Sequence, residues 1–220
     1  MPGINPNENR GPSDFDIRHA FSAALTYAVA VSSRSAVLHE ILGSWSVQNV
    51  IQARSAPPVN VYDFNFVGLA SGATTAVRPD AVPGQPYYLY GPPFPGGKAI
   101  NSNAFVDPPL DANGNPLRQG TFARNALRGF GAAQWDFAIH REFPIHERLK
   151  LQFRAELFNV LNHPNFAPPV SDLSDQSEFG QSVQTLGHFL AGSNVGSGGF
   201  NPLYQIGGSR SIQFALKLAF

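Results

Sequence analysis

Alternation with a period of two dominates this chain and predicts strands. From about His19 to Val31, Phe21, Ala23, Leu25, Tyr27, Val29 and Val31 alternate with Ser22, Ala24, Thr26, Ala28 and Ala30. From about Ser44 to Arg54, Trp45, Val47 and Ile51 stand opposite Ser46, Gln48 and Gln52. A third segment, about Gln134 to Phe143, sets Trp135, Phe137, Ile139 and Phe143 against Gln134, Asp136, His140 and Glu142. A fourth, about Leu149 to Leu161, sets Leu149, Leu151, Phe153, Ala155 and Leu157 against Lys150, Gln152, Arg154 and Glu156. The fifth is the end of the sequence, where Ile212, Phe214, Leu216, Leu218 and Phe220 face one way and Ser211, Gln213, Ala215, Lys217 and Ala219 the other. Each segment has about ten residues, the length that a tilted strand needs to cross a bilayer. A half-buried strand of a soluble sheet shows the same alternation, so the pattern alone leaves both readings open.

The connections separate them. Ser32–Gly43 and Pro144–Arg148 are short, whereas Ser55–Ala133 and His163–Gly208 are long and rich in Pro, Gly and Asn. Short turns on one side and long loops on the other characterise outer-membrane barrels. A structureless loop as long as Ser55–Ala133 is uncommon in a compact soluble domain. The predicted fold is therefore all-β: antiparallel transmembrane β-barrel strands, about five long ones with long external loops, forming part of a larger barrel. Phe137 and Phe153 are expected to face lipid, and Trp45, Trp135 and Phe143 to sit near its interfaces. Folding the third and fourth strands about His146 would place Glu142 opposite Lys150, His140 opposite Gln152, and Asp136 diagonal to Arg154. Arg141, alone on an apolar row, is expected to snorkel to the headgroups.

Composition supports this picture. Charged residues are 14% of the 220, against about 25% in soluble domains. Gly (21) and Pro (19) are plentiful, and Phe (18) leads the aromatics. Lys plus Arg equal Asp plus Glu at 15 each, which gives no electrostatic reason to expect nucleic acid as a partner. There is no Cys, hence no disulfide and no thiolate metal site. No stretch reaches the about 18 consecutive apolar residues of a membrane helix, a test that barrel strands escape. Met1–Arg10 has no basic region followed by an apolar one, so an export signal is not read there. The expectation is that residues 1–220 are the C-terminal piece of a longer protein.

Three stretches carry a family resemblance. Arg124-Asn-Ala-Leu-Arg-Gly129 leads into the third strand, Leu151–Phe166 reads LQFRAELFNVLNHPNF, and Tyr204–Phe214 reads YQIGGSRSIQF. Asp16–Ser22, Arg78-Pro-Asp80 and Asn101–Phe105 add to them. Together they resemble the C-terminal end of TonB-dependent outer-membrane receptors, specifically the Oar-like group with a carboxypeptidase-regulatory-like N-terminal domain. The resemblance implies a 22-stranded barrel with an internal plug, energised uptake of a scarce small substrate, and a location in the outer membrane of a Gram-negative-type bacterium. It implies as partners outer-membrane lipid, the barrel-assembly machinery, and the TonB complex, the last only through N-terminal parts that this sequence lacks. The alternating terminus Phe214, Leu216, Leu218 and Phe220 resembles the signal read by that assembly machinery.

Catalytic and metal chemistry is not indicated, and no cofactor is expected. None of the six His belongs to an H-E-x-x-H helix, and His39-Glu40 and His146-Glu147 fall in predicted turns. No G-x-S-x-G elbow, P-loop or dinucleotide fingerprint occurs. Gly192–Gly199 reads as a loop, and Asp172, Asp175 and Glu178 miss the EF-hand spacing. Two functions follow: part of a transporter whose long loops help to capture substrate, or a secreted or surface β-protein that binds carbohydrate or protein through the same loops. On the first, residues 1–220 alone would not form a stable soluble monomer, because two strand edges and the apolar rows would meet water.

Overall fold

The computed structural model describes residues 10–29, 43–63, 76–146, 149–190 and 207–220. In chain order its strands are β1 (Ala20–Ala28), β2 (Trp45–Arg54), β3 (Pro58–Val59), β4 (Asp80–Ala81), β5 (Tyr88–Tyr90), β6 (Lys98–Ile100), β7 (Phe105–Val106), β8 (Leu127–Arg128), β9 (Ala132–His146), β10 (Leu149–Phe158) and β11 (Ser211–Ala219). Among the described residues helix is confined to single turns at Leu186–Leu190, Pro95–Gly97 and Ser102–Ala104. The protein is all-β.

The long strands form one antiparallel sheet in the order β1-β2-β9-β10-β11. This is also their sequence order, so every neighbour is reached by the next connection. The register sorts the side chains into two faces. One is largely apolar, interrupted by Arg141 and Asn49: Leu157 stands beside Phe137 and Ile212, Phe153 beside Leu216, Val47 beside Ile139, and Ile51 beside Trp135 and Ala23. The other carries Gln48, Gln52, Gln134, Asp136, His140, Glu142, Gln152, Arg154, Glu156 and Lys217. The alternation of the sequence is thus kept by pairing in phase, since a slip of one residue would move a whole row to the wrong face.

Several expectations change in detail. β10 ends at Phe158 rather than Leu161, because Asn159 and Asn162 turn the chain with φ of 48° and 50°, a region that Asn tolerates better than most residues. Val31 lies outside the described residues. The β9–β10 register is shifted by two residues from the one expected. Glu142 faces Gln152 and His140 faces Arg154, with an irregularity between Leu149 and Lys150 where an extra residue of β9 is absorbed. A shift of two preserves the faces but exchanges partners. Gln152 donates to Glu142 at 2.6 Å, while Lys150 reaches Glu142 only diagonally at 3.8 Å. Arg154 pairs with Glu156 at 2.7 Å instead of approaching Asp136.

The described parts of the long connections are folded. β3 pairs with β8, β4 with β7 and β5 with β6, and together the two loops enclose a core of Val59, Val61, Ile100, Ala104, Phe105, Phe122, Leu127 and Phe179. Phe179 comes from the second loop and packs edge-on against Phe105 of the first, with ring centres 6.0 Å apart. This cap sits on one end of the sheet and holds the buried cluster, whereas the sheet's apolar face stays open. Leu25, Phe214 and Leu216 are 65%, 70% and 71% exposed.

Candidate functional site

The site is built from three surfaces: the apolar face of the sheet, its polar face, and the cap. On the apolar face, β9 carries outward residues from Ala133 to Phe143. At about 3.3 Å per residue that row is about 33 Å long, and a tilt of about 40° reduces it to about 25 Å of vertical height. This is the height of the apolar band of a membrane barrel. Phe153 and Phe137 lie in the row as expected, Phe153 edge-on to Trp45 at 6.3 Å and stacked with Phe214 at 6.4 Å.

Arg141 behaves differently from expectation. Rather than reaching outward it is 6% exposed, its guanidinium carbon 4.3 Å from the Phe143 ring centre and 5.5 Å from that of Trp45. Two aromatic faces attract a cation without requiring water, so the aromatic pair solves locally what snorkelling would have solved.

The expected assembly residues Phe214, Leu216 and Leu218 lie on β11, an edge strand of the sheet, on the apolar face and beside Ala155, Phe153 and Leu151. Phe220 follows at 98% exposure. It emerges at the end that carries the β9–β10 turn and opposite the cap, because Ala219 pairs with Lys150 while Ser211 pairs with Phe158.

The polar face ends in a clasp beneath the cap. Asp136 accepts from the Asn159 N–H at 2.8 Å, and Asn159 donates to the carbonyls of His163 and Gly208 at 2.9 and 2.8 Å. Asn165 grips Ala133 on both sides, accepting from its N–H at 2.8 Å and donating to its carbonyl at 3.0 Å. Gln134 accepts from the Gly207 N–H at 2.6 Å. Asn159 and Asn165 are 1% and 2% exposed, and buried amides persist where such bonds are made. The Phe158-Asn159 and Asn162–Phe166 stretch, the most specific part of the resemblance, is thus the stretch that ties the second loop to the sheet. Further along the polar face, the Ser46 hydroxyl lies 2.6 Å from Nδ1 of His140.

In the cap a polar cleft of about 370 Å³ is lined by Asp14, Asn60, Tyr62, Ala76, Arg78, Gln119 and Arg124. Four separated stretches converge there, and several of the lining residues are also anchored. Arg78 donates from Nε to the Phe122 carbonyl at 3.1 Å, and its own N–H reaches Gln119 Oε1 at 3.1 Å. Gly120 lets the two backbones approach, since a Cβ there would clash with the carbonyl oxygens of Arg78 and Pro79. Asp14 accepts from Asn125 Nδ2 at 2.6 Å and from Arg124 Nη2 at 2.9 Å. These bonds, Asn125 first and Arg124 next, hold its carboxyl below the ordinary carboxylate range. Beside the cleft, Asp80 is held low chiefly by Arg118, which grips both its oxygens at 2.7 and 2.8 Å. Asp107 is pushed up, first by burial and then by the Asp63 charge. Lys98, pushed down by burial, donates to the Gly129 carbonyl at 2.6 Å and lies over the Tyr88 and Phe130 rings.

No sequence motif singled out the cleft. Arg78 and Arg124 belong to stretches noted for their family resemblance, but nothing in their spacing showed that they meet. Asp172 and Asp175 build turns, accepting from Ser174 and from Ser177 and Glu178. Among the described residues no three of His, Cys, Asp and Glu converge as metal ligands. His39, Glu40, Glu147 and Gly192–Gly199 lie outside the described residues.

Comparison with known families gives one match over most of the chain. The family described as "Outer membrane beta barrel domain" matches residues 2–189. Neither a curated protein nor a solved structure matches the chain.

Proposed function

The chain belongs to the outer-membrane β-barrel domain family and is located in the outer membrane, and from that premise we propose that it forms part of a TonB-dependent receptor that takes up a small substrate. One observation supports this most: a sheet apolar on one face and polar on the other, closed at one end by a folded cap that offers a polar cleft. Lipid would cover the first face and a watery lumen the second. The cap then lies outside the cell, where substrate is met, and the β9–β10 turn and Phe220 lie in the periplasm. The role is one of capture and passage, without catalysis.

β1 and β11 each pair on one side only among the described residues, and an open edge inside a bilayer costs several kcal/mol per unsatisfied group. We therefore read residues 1–220 as the C-terminal portion of a larger barrel, with further strands closing it and a plug supplying the contact to TonB. Phe214, Leu216, Leu218 and Phe220 serve as the assembly signal in this reading. Deleting Phe220 from the natural gene product should lower its level in outer membranes, measured by immunoblot of the fractionated envelope, and an undiminished level rejects the signal.

Transport is tested by growth on a limiting nutrient in cells with and without TonB. Uptake that depends on this gene and on TonB supports the reading; uptake that depends on the gene alone sinks it. The cleft favours one rival, a surface β-protein that binds carbohydrate or protein through the cap without passage, and the same experiment separates the two.

A further inference from the structure

The bonds that build the cap cleft also determine what it offers to a ligand. Asn60 and Gln119 each spend their carbonyl oxygen on a backbone N–H, of Asn125 at 3.4 Å and of Arg78 at 3.1 Å, so their NH2 groups are the part left for a guest. Arg124 uses Nη2 on both oxygens of Asp14 and retains Nε and Nη1. Asp14, 61% exposed at its side chain, keeps acceptor capacity. Tyr62 adds an aromatic surface. Donors on Asn60, Gln119 and Arg124 and the acceptor of Asp14 therefore line one small space.

Charge narrows the choice of guest. A polyanion would be drawn to Arg78 and Arg124 but would meet the Asp14 carboxylate in the same cleft, and a polycation would meet the two guanidiniums. A hydroxyl both donates and accepts, and vicinal hydroxyls match the paired atoms of carboxylate, amide and guanidinium. A pyranose also presents C–H faces that pack on aromatic rings, as most binding sites combine apolar contact with a few placed polar groups.

We propose that this cleft binds a neutral saccharide, with Asp14, Asn60, Gln119 and Arg124 hydrogen-bonding its hydroxyls and Tyr62 packing against its ring. The inference rests on the reading of the cap as a capture surface and names the substrate class of that surface. It does not depend on passage through a barrel.

The test uses the natural gene product, extracted from outer membranes in detergent and titrated calorimetrically with maltose, cellobiose and xylobiose, with citrate and spermidine as charged controls. At least one disaccharide should bind, and neither control should. Asp14→Asn and Gln119→Ala should each weaken that binding about three- to tenfold, the range expected for one lost hydrogen bond. Limited proteolysis within the cap checks that both variants keep it folded, and Gln119→Glu, which keeps the anchoring oxygens, serves if Gln119→Ala does not fold. Binding of citrate in place of sugar, no binding of any disaccharide, or sugar binding that neither variant weakens overturns the proposal. Sugar binding without TonB-dependent uptake defeats transport and leaves the cleft standing. TonB-dependent sugar uptake that the Asp14 and Gln119 variants leave unchanged defeats the cleft and leaves transport standing.

Discussion

Replacing Phe105 by alanine should loosen the cap while leaving the sheet intact. Phe105 is 8% exposed and sits between three rings, edge-on to Phe122 at 4.9 Å and to Phe179 at 6.0 Å, and stacked with Tyr87 at 5.9 Å. Removing a buried Phe costs about 3–5 kcal/mol, rising with how poorly the site collapses. Rings held from three directions by two separate loops cannot easily close the gap, so the upper part of that range applies. When opening is fast relative to cleavage, proteolysis follows the open population. A tenfold change corresponds to about 1.4 kcal/mol, so cleavage within the cap should accelerate by about three to three and a half powers of ten. The assay is limited proteolysis of the protein in outer-membrane vesicles, followed by gel and mass mapping of the cuts. New cuts should fall within 55–131 and 159–190, with heat-modifiable mobility unchanged. Phe105→Leu should restore most of the resistance, and Phe214→Ala, on the exposed row, should leave the cap as it was. Acceleration below tenfold for Phe105→Ala, or cuts confined to the sheet, would refute a cap held by this aromatic cluster.

Three further outcomes follow from the geometry. Phe153→Arg, in the middle of the apolar row, should lower stability in lipid by about 2–4 kcal/mol, read from urea refolding into liposomes, whereas Gln152→Arg on the polar face should change little; equal effects would contradict the assignment of faces. Asn165→Ala strips both partners from Ala133, and at about 0.5–1.5 kcal/mol per lost hydrogen bond should loosen the second loop, seen as faster hydrogen exchange at Ala133; unchanged exchange would show that the clasp does not hold. Asp80 and Asp14 have folded pKa values depressed below 3.8, so their contribution is present above about pH 4 and lost as pH falls through the folded values. Cap resistance to an acid-active protease should therefore decline below pH 4, and Arg118→Gln should move the onset upward. An onset identical to that of the parent would show that the Asp80–Arg118 pair contributes nothing, as many exposed ion pairs do.

Local patterning was enough to specify the sheet and its polarity. Alternation is a local property, so Leu151, Phe153 and Leu157 could be assigned to one face before any partner was known, and the contrast of short and long connections assigned the ends. Exact register was beyond it: the two-residue shift between β9 and β10 keeps every face and changes every partner, and an irregularity that absorbs one residue leaves no mark on a period-two pattern. The fate of Arg141 depended on Trp45, distant in sequence and adjacent in the sheet. The cap was hidden for the same reason. Its strands are two or three residues long and its core joins residues from Val59 to Phe179, too sparse for any local period. The cleft brings together Asp14, Asn60, Arg78 and Arg124 only because that core and Gly120 bring their backbones close, and convergence of this kind is a consequence of packing that no single stretch encodes.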